Sequence, residues 1–175
     1  MQFQIESYIS DKNNWLSKQV DVEFPTPESL IGRQLYLASQ QDITFTESNI
    51  ESLLKTKGDL EVIEVDFHRL TILFSIIQAS LWSDTPADER FIIEFLTQII
   101  LDDDYQLYLG FHEGEPVSAL ICHIDQKNSL AVLSDITISK NWQSTFNEQG
   151  FVSDILSYLL SKSLIINKVI HPEWI

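Results

Sequence analysis

A polar loop in the last third of the chain carries the residues closest to a ligand-binding pattern. Residues 134–156 read as a strand, a polar loop and the start of a helix, with Gly150 as the loop's only glycine. Backbone N–H groups that open a helix lack internal partners and attract anions, and glycine lets a phosphate approach the backbone closely. The loop is therefore either a phosphate-binding loop or only a turn. Glu148 opposes the first interpretation because its carboxylate repels an anion.

The remaining chemistry-bearing residue types form no recognisable catalytic or metal-binding pattern. The four histidines are far apart, and none has the HxxxH or HExxH spacing that places two imidazoles on one helical face, so no metal site is expected. Cys122 and His123 are neighbours in a predicted strand, where consecutive side chains point to opposite faces, so they cannot act as a nucleophile pair. No nucleotide-binding or nucleophile-elbow motif occurs. The histidines are His68, His112, His123 and His171.

The composition predicts one folded, acidic domain without disulfides. Hydrophobic residues make up 44% of the 175 residues, enough to bury a core, and a single cysteine cannot form an intramolecular disulfide. With 26 acidic against 11 basic residues, the formal charge of −15 disfavours binding to nucleic acid or to an anionic membrane surface. The N-terminus has no signal-peptide profile and no run approaches a membrane span, so a cytoplasmic location is expected.

Hydrophobic periodicity predicts the elements that must position the polar loop. Leu70, Leu73, Phe74 and Ile77 follow helical spacing, whereas residues 105–111 alternate as a strand does. The turn at 112–116 predicts an antiparallel hairpin. Strands are predicted at 3–9, 19–24, 60–65, 105–111, 117–124, 130–138 and 166–170, and helices at 25–41, 46–54, 67–82, 85–99 and 151–164.

The predicted hairpin carries a resemblance to a known family. The segment DDDYQLYLGFHEGEPVSALICHID resembles the central hairpin of the GNAT acetyltransferase superfamily, and its turn from Glu113 to Val117 is similar to the "dGepvG" element of many members. The resemblance covers about residues 60–170. It implies an α/β (α+β) domain with a mixed, mostly antiparallel sheet flanked by helices. Residues 1–58 would form an extension packed on a GNAT-like domain of residues 59–175, as one compact unit.

The resemblance also implies where acetyl-CoA would bind. The backbone of Ile136 and Ile138 would contact the pantetheine arm, and the N–H groups of Gln149, Gly150 and Phe151 would hold the pyrophosphate. This loop departs from the family pattern, because no second glycine follows Gly150 and no arginine precedes it.

The catalytic residues that the family uses have only partial matches here. The resemblance implies a base that takes a proton from the amine, for which Asp135 and Glu113 are the candidates and His123 a further one. The tyrosine that protonates the leaving thiolate in many members has no match, since no tyrosine follows Tyr158. The family's two strands after residue 170 are also missing from this sequence. We therefore hypothesise that the N-terminal strands take their places in the sheet.

Two functions remain open from the sequence. The first is an acetyl-CoA-dependent N-acyltransferase whose acceptor is an amine on a small molecule or a protein. The second is a catalytically inactive GNAT-like module that binds a protein partner, a basic one in view of the charge of −15. Dimerisation of two copies is left open by both.

Overall fold

The computed structural model describes residues 1–174, which form a central sheet with helices on both faces. The strands are hydrogen-bonded in the order β1-β6-β5-β4-β3-β2. The elements are α1 (Gln2–Ser17), α2 (Pro27–Gln40), β1 (Phe45–Asn49), α3 (Ile50–Leu53), β2 (Glu61–Glu64), α4 (His68–Ala79), α5 (Pro86–Leu96), β3 (Gln106–His112), β4 (Glu115–Asp125), β5 (Leu130–Ile138), α6 (Glu148–Ser161) and β6 (Lys168–Pro172).

The sheet is mostly antiparallel, as predicted. Every neighbouring pair is antiparallel except β5 with β6, which run parallel. The parallel pair arises because α6 carries the chain back across one face of the sheet between the two strands. The predicted α/β (α+β) fold class is confirmed.

Two hydrophobic layers hold the helices to the sheet. Alternating strand residues supply them: Tyr108 packs towards α6, whereas Leu107 and Leu109 pack towards α4 and α5. A third, smaller cluster lies under α1, where Ile5 contacts apolar residues of the outer strands β1, β5 and β6. The helices therefore pack on both faces of the sheet, and α1 covers the part that β1, β5 and β6 form.

The predicted strands at 3–9 and 19–24 are wrong: residues 2–17 form α1, residues 18–20 form a 3-10 turn, and no strand follows before α2. Ile5, Lys12 and Leu16 are its buried residues and lie on one helical face. The hypothesis that these N-terminal strands complete the sheet is wrong for the same reason. A different N-terminal segment occupies the outer position, since β1 pairs antiparallel with β6.

The helix predicted at 46–54 is also only partly correct. Residues 45–49 are strand β1, and only the single turn of α3 follows as helix. Pairing with β6 across five register positions, from Phe45 opposite Pro172 to Asn49 opposite Lys168, overrides the local helical pattern.

Candidate functional site

A cavity of about 800 Å³ lies where β5 and β6 separate. It is bordered by α2 and α4 on one side and by the loop that leads into α6 on the other. Pro172 at the end of β6, with Glu173 and Trp174, forms a further wall. The lining residues are Tyr36, Ser39, Gln40, Ile43, Gln78, Leu81, Trp82, Asp135, Ile136, Thr137, Ile138, Gln143, Phe146, Asn147, Glu148, Gln149, Pro172, Glu173 and Trp174.

The strands separate because they pair over a short length only. β6 pairs with β5 at three register positions, and the last of them is Val132 opposite Ile170. Beyond that point β5 contains a bulge, in which Asp135 and Ile136 together oppose Leu120 of β4. Asp135 has a φ of 54°, a left-handed conformation that aspartate tolerates better than most residues. The bulge bends β5 at the cavity wall.

The Asp135 side chain is buried and engaged by two helices. Its Oδ2 lies 2.6 Å from Nζ of Lys12 in α1, and its Oδ1 accepts a hydrogen bond of 2.7 Å from the Tyr36 hydroxyl in α2. Both partners are buried as well. Burial, followed by the Asp135 carboxylate, raises the pKa of Tyr36, so the hydroxyl stays protonated and donates. The carboxylate therefore ties α1 and α2 to the bulge.

Gln78 of α4 fixes the backbone of the same bulge. Its Nε2 donates to the carbonyl oxygen of Asp135 at 2.6 Å, and its Oε1 accepts from the Thr137 hydroxyl at 2.6 Å. Buried polar groups are costly unless paired, so these bonds specify the shape of the cavity floor.

The first turn of α6 borders the cavity at Glu148 and Gln149. The Asn147 side chain caps the helix by accepting from the Gly150 N–H at 2.8 Å, and the Asn147 carbonyl accepts from the Phe151 N–H at 3.2 Å. Within residues 1–174, the N–H groups of Glu148 and Gln149 have no protein partner. Burial raises the pKa of the Glu148 carboxyl, which also lines the cavity.

Gly150 itself faces away from the cavity. It is buried and packs against the backbone of Lys57 and Gly58, where a Cβ would lie 3.4 Å from the Gly58 Cα. Close packing between the 57–58 segment and α6 therefore explains this glycine. The Phe151 ring likewise belongs to the hydrophobic layer under α6.

The predicted site residues are only partly brought together. Ile136, Ile138 and Gln149 line the cavity, as does Asp135, whereas Gly150 and Phe151 do not. Glu113 lies in the β3–β4 turn, where its side chain is 85% exposed, and it does not border the cavity. The Ile138 carbonyl accepts from the Gln143 side chain at 3.3 Å. The two predicted bases are thus in different parts of the molecule.

His171 helps to hold Glu173 and Trp174 in place. Its Nδ1–H donates to the Pro172 carbonyl at 2.7 Å, and Nε2 lies 2.9 Å from the Ser48 hydroxyl of β1. The ring stacks on Trp174 with centroids 4.8 Å apart, and burial lowers the pKa of His171. The Glu173 N–H donates to the Thr44 carbonyl at 2.8 Å. Glu173 and Trp174 are therefore presented to the cavity by a fixed backbone.

Sequence reasoning missed the residues that other elements contribute to this site. Lys12, Tyr36 and Gln78 come from three different helices, and Trp174 comes from the residues after β6. Lys12 lies seven residues after Ile5 on the face that α1 buries, but a lysine interrupts the apolar period that would have revealed that face. Tyr36 and Gln78 had none because their roles depend on helix packing, and nothing near Trp174 in the sequence ties it to the cavity.

Neither a metal site nor a membrane-spanning helix is found in the part of the chain that the structure describes. No group of three or more His, Cys, Asp or Glu side chains within residues 1–174 could hold a metal ion. The helices of the same range are too short or too polar to cross a membrane.

The sequence matches no protein-family model and no curated protein, whereas its fold has solved counterparts. An aminoglycoside acetyltransferase from an uncultured soil sample is 12% identical, with a TM-score of 0.44, over 63% of this chain and 78% of that chain. A GNAT-family protein from Novosphingobium aromaticivorans, titled a putative acetyltransferase, is 7% identical, with a TM-score of 0.43, over 73% of this chain and 51% of that chain.

The solved structures that are similar to this chain include proteins titled acetyltransferases. A Staphylococcus epidermidis protein of unknown function is also similar, at 13% identity and a TM-score of 0.50, over 85% of this chain and 57% of that chain. The chain thus spans little more than half of two of these three proteins. At such identities a likeness concerns the fold alone, and function must be argued from the site.

Proposed function

We propose that this chain is a GNAT-type N-acyltransferase that takes its acyl group from acetyl-CoA, with the cavity between β5 and β6 as its active site. The observation that carries the proposal is the gap between these two strands, which opens onto the first turn of α6. A helix start with unpartnered N–H groups suits a phosphate, and the volume of about 800 Å³ is within the range of ligand pockets.

The residues that would hold acetyl-CoA differ in part from those predicted. The N–H groups of Gly150 and Phe151 are engaged by Asn147, so those of Glu148 and Gln149 would hold the pyrophosphate. The cavity-lining edge of β5 at Ile136 and Ile138 would contact the pantetheine arm. Bound acetyl-CoA supplies the acyl group as a thioester.

The transfer requires a proton acceptor beside the acceptor amine. Attack of an amine on the acyl group would require a base of this chain to take up the proton that the amine loses. The oxygens of Asp135 are engaged by Lys12 and Tyr36. Glu148 would lie at the pyrophosphate end, so the carboxylate of Glu173, which belongs to the lining of the same cavity, would be the group that accepts the proton.

A catalytically inactive GNAT-like binding module is the second candidate, and one observation favours it. Glu148 stands at the first position of α6, where a like charge about 4 Å from a phosphate costs ~1 kcal/mol in water and more where solvent is excluded. A module that does not bind acetyl-CoA would tolerate this residue.

Titration with acetyl-CoA distinguishes the two candidates. A ligand at 100 times its Kd stabilises the folded state by about 2.7 kcal/mol, which a thermal shift detects. We expect such a shift for the transferase, and transfer of the acetyl group to an added amine. Absence of any shift at millimolar acetyl-CoA would favour the binding module.

Variants at Glu148 test the role of its N–H group and its charge separately. Glu148→Gln keeps the N–H and removes the charge, so we expect acetyl-CoA to bind about fivefold more tightly. Glu148→Pro removes both, and the helix start tolerates it because Asn147 already has the extended conformation required before proline. We expect it to bind more weakly than Glu148→Gln. Glu28→Gln, an exposed change in the first turn of α2, is the matched control.

A further inference from the structure

Four apolar side chains are exposed outside the cavity, in the segment before α2 and at the end of α5. Val22 and Phe24 precede α2, and Ile100 and Leu101 follow α5. Phe24 is 85% exposed and Ile100 is 74% exposed, so water surrounds both side chains. Single exposed apolar residues are ordinary on a protein surface, whereas a group of adjacent ones marks an interaction site.

Two hydrogen bonds anchor the segment before α2 to the second half of α5 and the residues after it. The Gln19 side chain accepts from the Ile100 N–H at 2.9 Å. The Thr26 hydroxyl donates to the Glu94 carboxylate at 3.3 Å. Both ends of this segment are therefore fixed to the same stretch of chain, residues 94–100.

The anchored segment is longer than the stretch that it follows. Residues 94–100 rise about 9 Å in a helical path, whereas the chain from residue 19 to residue 26 would reach about 23 Å if extended. The chain therefore bends between its anchors, and the bend contains Val22 and Phe24. These two side chains thus share one surface region with Ile100 and Leu101, and the four residues together form the apolar patch.

Carboxylates surround the apolar patch on the chain segments that carry it. Residues 18–28 contain three acidic residues and only Lys18 as a base, and residues 94–104 contain four acidic residues and no base. Arg33 of α2 lies 2.8 Å from Asp21, whereas the other six carboxylates form no ion pair within residues 1–174. The acidic residues are Asp21, Glu23, Glu28, Glu94, Asp102, Asp103 and Asp104.

This charge pattern decides which kind of partner fits the patch. A second copy of the chain would bring the same carboxylates face to face, because a symmetric dimer uses one surface on both copies. Anionic lipid and nucleic acid are repelled by the same charges. A protein surface whose apolar side chains are flanked by lysine or arginine complements both the patch and its surroundings. An amphipathic helix presents such a surface, since its apolar stripe is bordered by long basic side chains.

We propose that the apolar patch is the docking surface for an amphipathic basic helix of a partner protein. Phe24 is the main anchor, since aromatic side chains that a partner encloses supply much of the binding energy of an interface. None of the four patch residues lines the cavity between β5 and β6, so docking on the patch does not depend on acetyl-CoA binding.

Fluorescence anisotropy with a labelled synthetic peptide tests the docking of such a helix. The probe consists of leucine and lysine, with the leucines at spacings of three and four residues, and its control has the same composition in shuffled order. We expect the helical peptide to bind the full chain about tenfold or more tightly than the shuffled one, since only the first presents an apolar stripe. Equal affinities would overturn the proposal, because net charge alone would then attract the peptide.

Serine substitutions at two exposed phenylalanines locate the binding surface. Phe24→Ser should lower the affinity for the helical peptide about tenfold or more. Phe3→Ser is the matched control, because Phe3 is 84% exposed but lies at the start of α1, about 20 Å along the helix from Ser17. Equal affinities of the two variants would place the docking surface elsewhere and overturn the proposal.

The same variant tests the other occupants of the patch. We expect Phe24→Ser to change neither the sedimentation of the chain nor its binding to phosphatidylserine vesicles. A dimer, or vesicle binding, that this substitution abolishes would overturn the proposal, since the patch would then take a second copy or a lipid surface.

A charge substitution tests the carboxylates around the patch. Glu23→Gln should weaken binding of the helical peptide about twofold, whereas Glu6→Gln, an exposed change in α1, should leave it unchanged. Equal effects of these two substitutions would contradict the role of the surrounding carboxylates.

Discussion

A lysine and an aspartate 123 residues apart determine the shape of the cavity floor. Asp135 adopts a left-handed conformation in the bulge of β5, and Lys12 of α1 supplies the charge that keeps its carboxylate stable in a buried position. An uncompensated buried charge is strongly destabilising, whereas replacing a whole buried pair with neutral groups is often tolerated. The folded state is therefore stable when both charges are present or when both are replaced, but not when one is removed alone.

Substitution at these two positions should show that dependence. We expect Lys12→Met to lower the free energy of unfolding by about 3–5 kcal/mol, because Asp135 is left buried and unpaired. Adding Asp135→Asn should restore most of the loss, since asparagine tolerates the left-handed conformation and can still accept from Tyr36. Urea-induced unfolding of both variants measures the difference. A double variant no more stable than Lys12→Met alone would contradict this role.

At the scale of elements, the close approach of α2 and α5 places Tyr36 beside Asp135. The two helices meet at Gly32, where a Cβ would overlap with the carbonyl oxygen of Phe91. A backbone oxygen cannot move aside as a side chain can. Any larger residue at this position must push α2 outwards, and Tyr36, four residues later on the same face, moves with it.

Gly32→Ala should therefore disturb both stability and the site. We expect a loss of about 1–3 kcal/mol in the free energy of unfolding, the usual cost of overpacking, together with weaker binding of any ligand that the cavity takes. Gln34→Ala, an exposed change in the same helix, should leave both unchanged. Thermal unfolding and ligand titration provide the two measurements. A fully stable Gly32→Ala variant would show that the helices can separate without cost.

The sequence was informative about elements with a strong apolar period and uninformative about those set by tertiary contacts. The hairpin of β3 and β4, strand β5 and helices α4 to α6 were predicted because apolar residues alternate or recur every three to four positions. Helix α1 was missed because a lysine stands in its buried stripe. Its counter-charge, Asp135, lies in another element, and no local pattern could have paired the two residues.

At the scale of the whole molecule, the thiol reactivity of the cysteine indicates whether the sheet is folded. Cys122 lies in β4, one of the inner strands, and is buried in the hydrophobic layer under α6. Burial raises the pKa of its thiol to about 12, so the reactive thiolate is scarce in the folded chain.

Labelling of Cys122 by Ellman's reagent should therefore follow global unfolding. We expect the native chain to react roughly 10³-fold or more slowly than the chain in concentrated urea, because an inner strand opens only when the fold does. The time course of absorbance at native and denaturing conditions measures the ratio. Prompt labelling of the native chain would mean that β4 is exposed by a local opening.

The parallel ladder between β5 and β6 is shorter than the ladders on either side of it. β1 and β6 face each other at five register positions, but β6 meets the inner strands at only three. The ladder between β1 and β6 is thus longer than the ladder between β6 and β5. Rotation of β1 and β6 about their short contact with β5 would widen or narrow the mouth of the cavity. Strands β2 to β5 would keep their register.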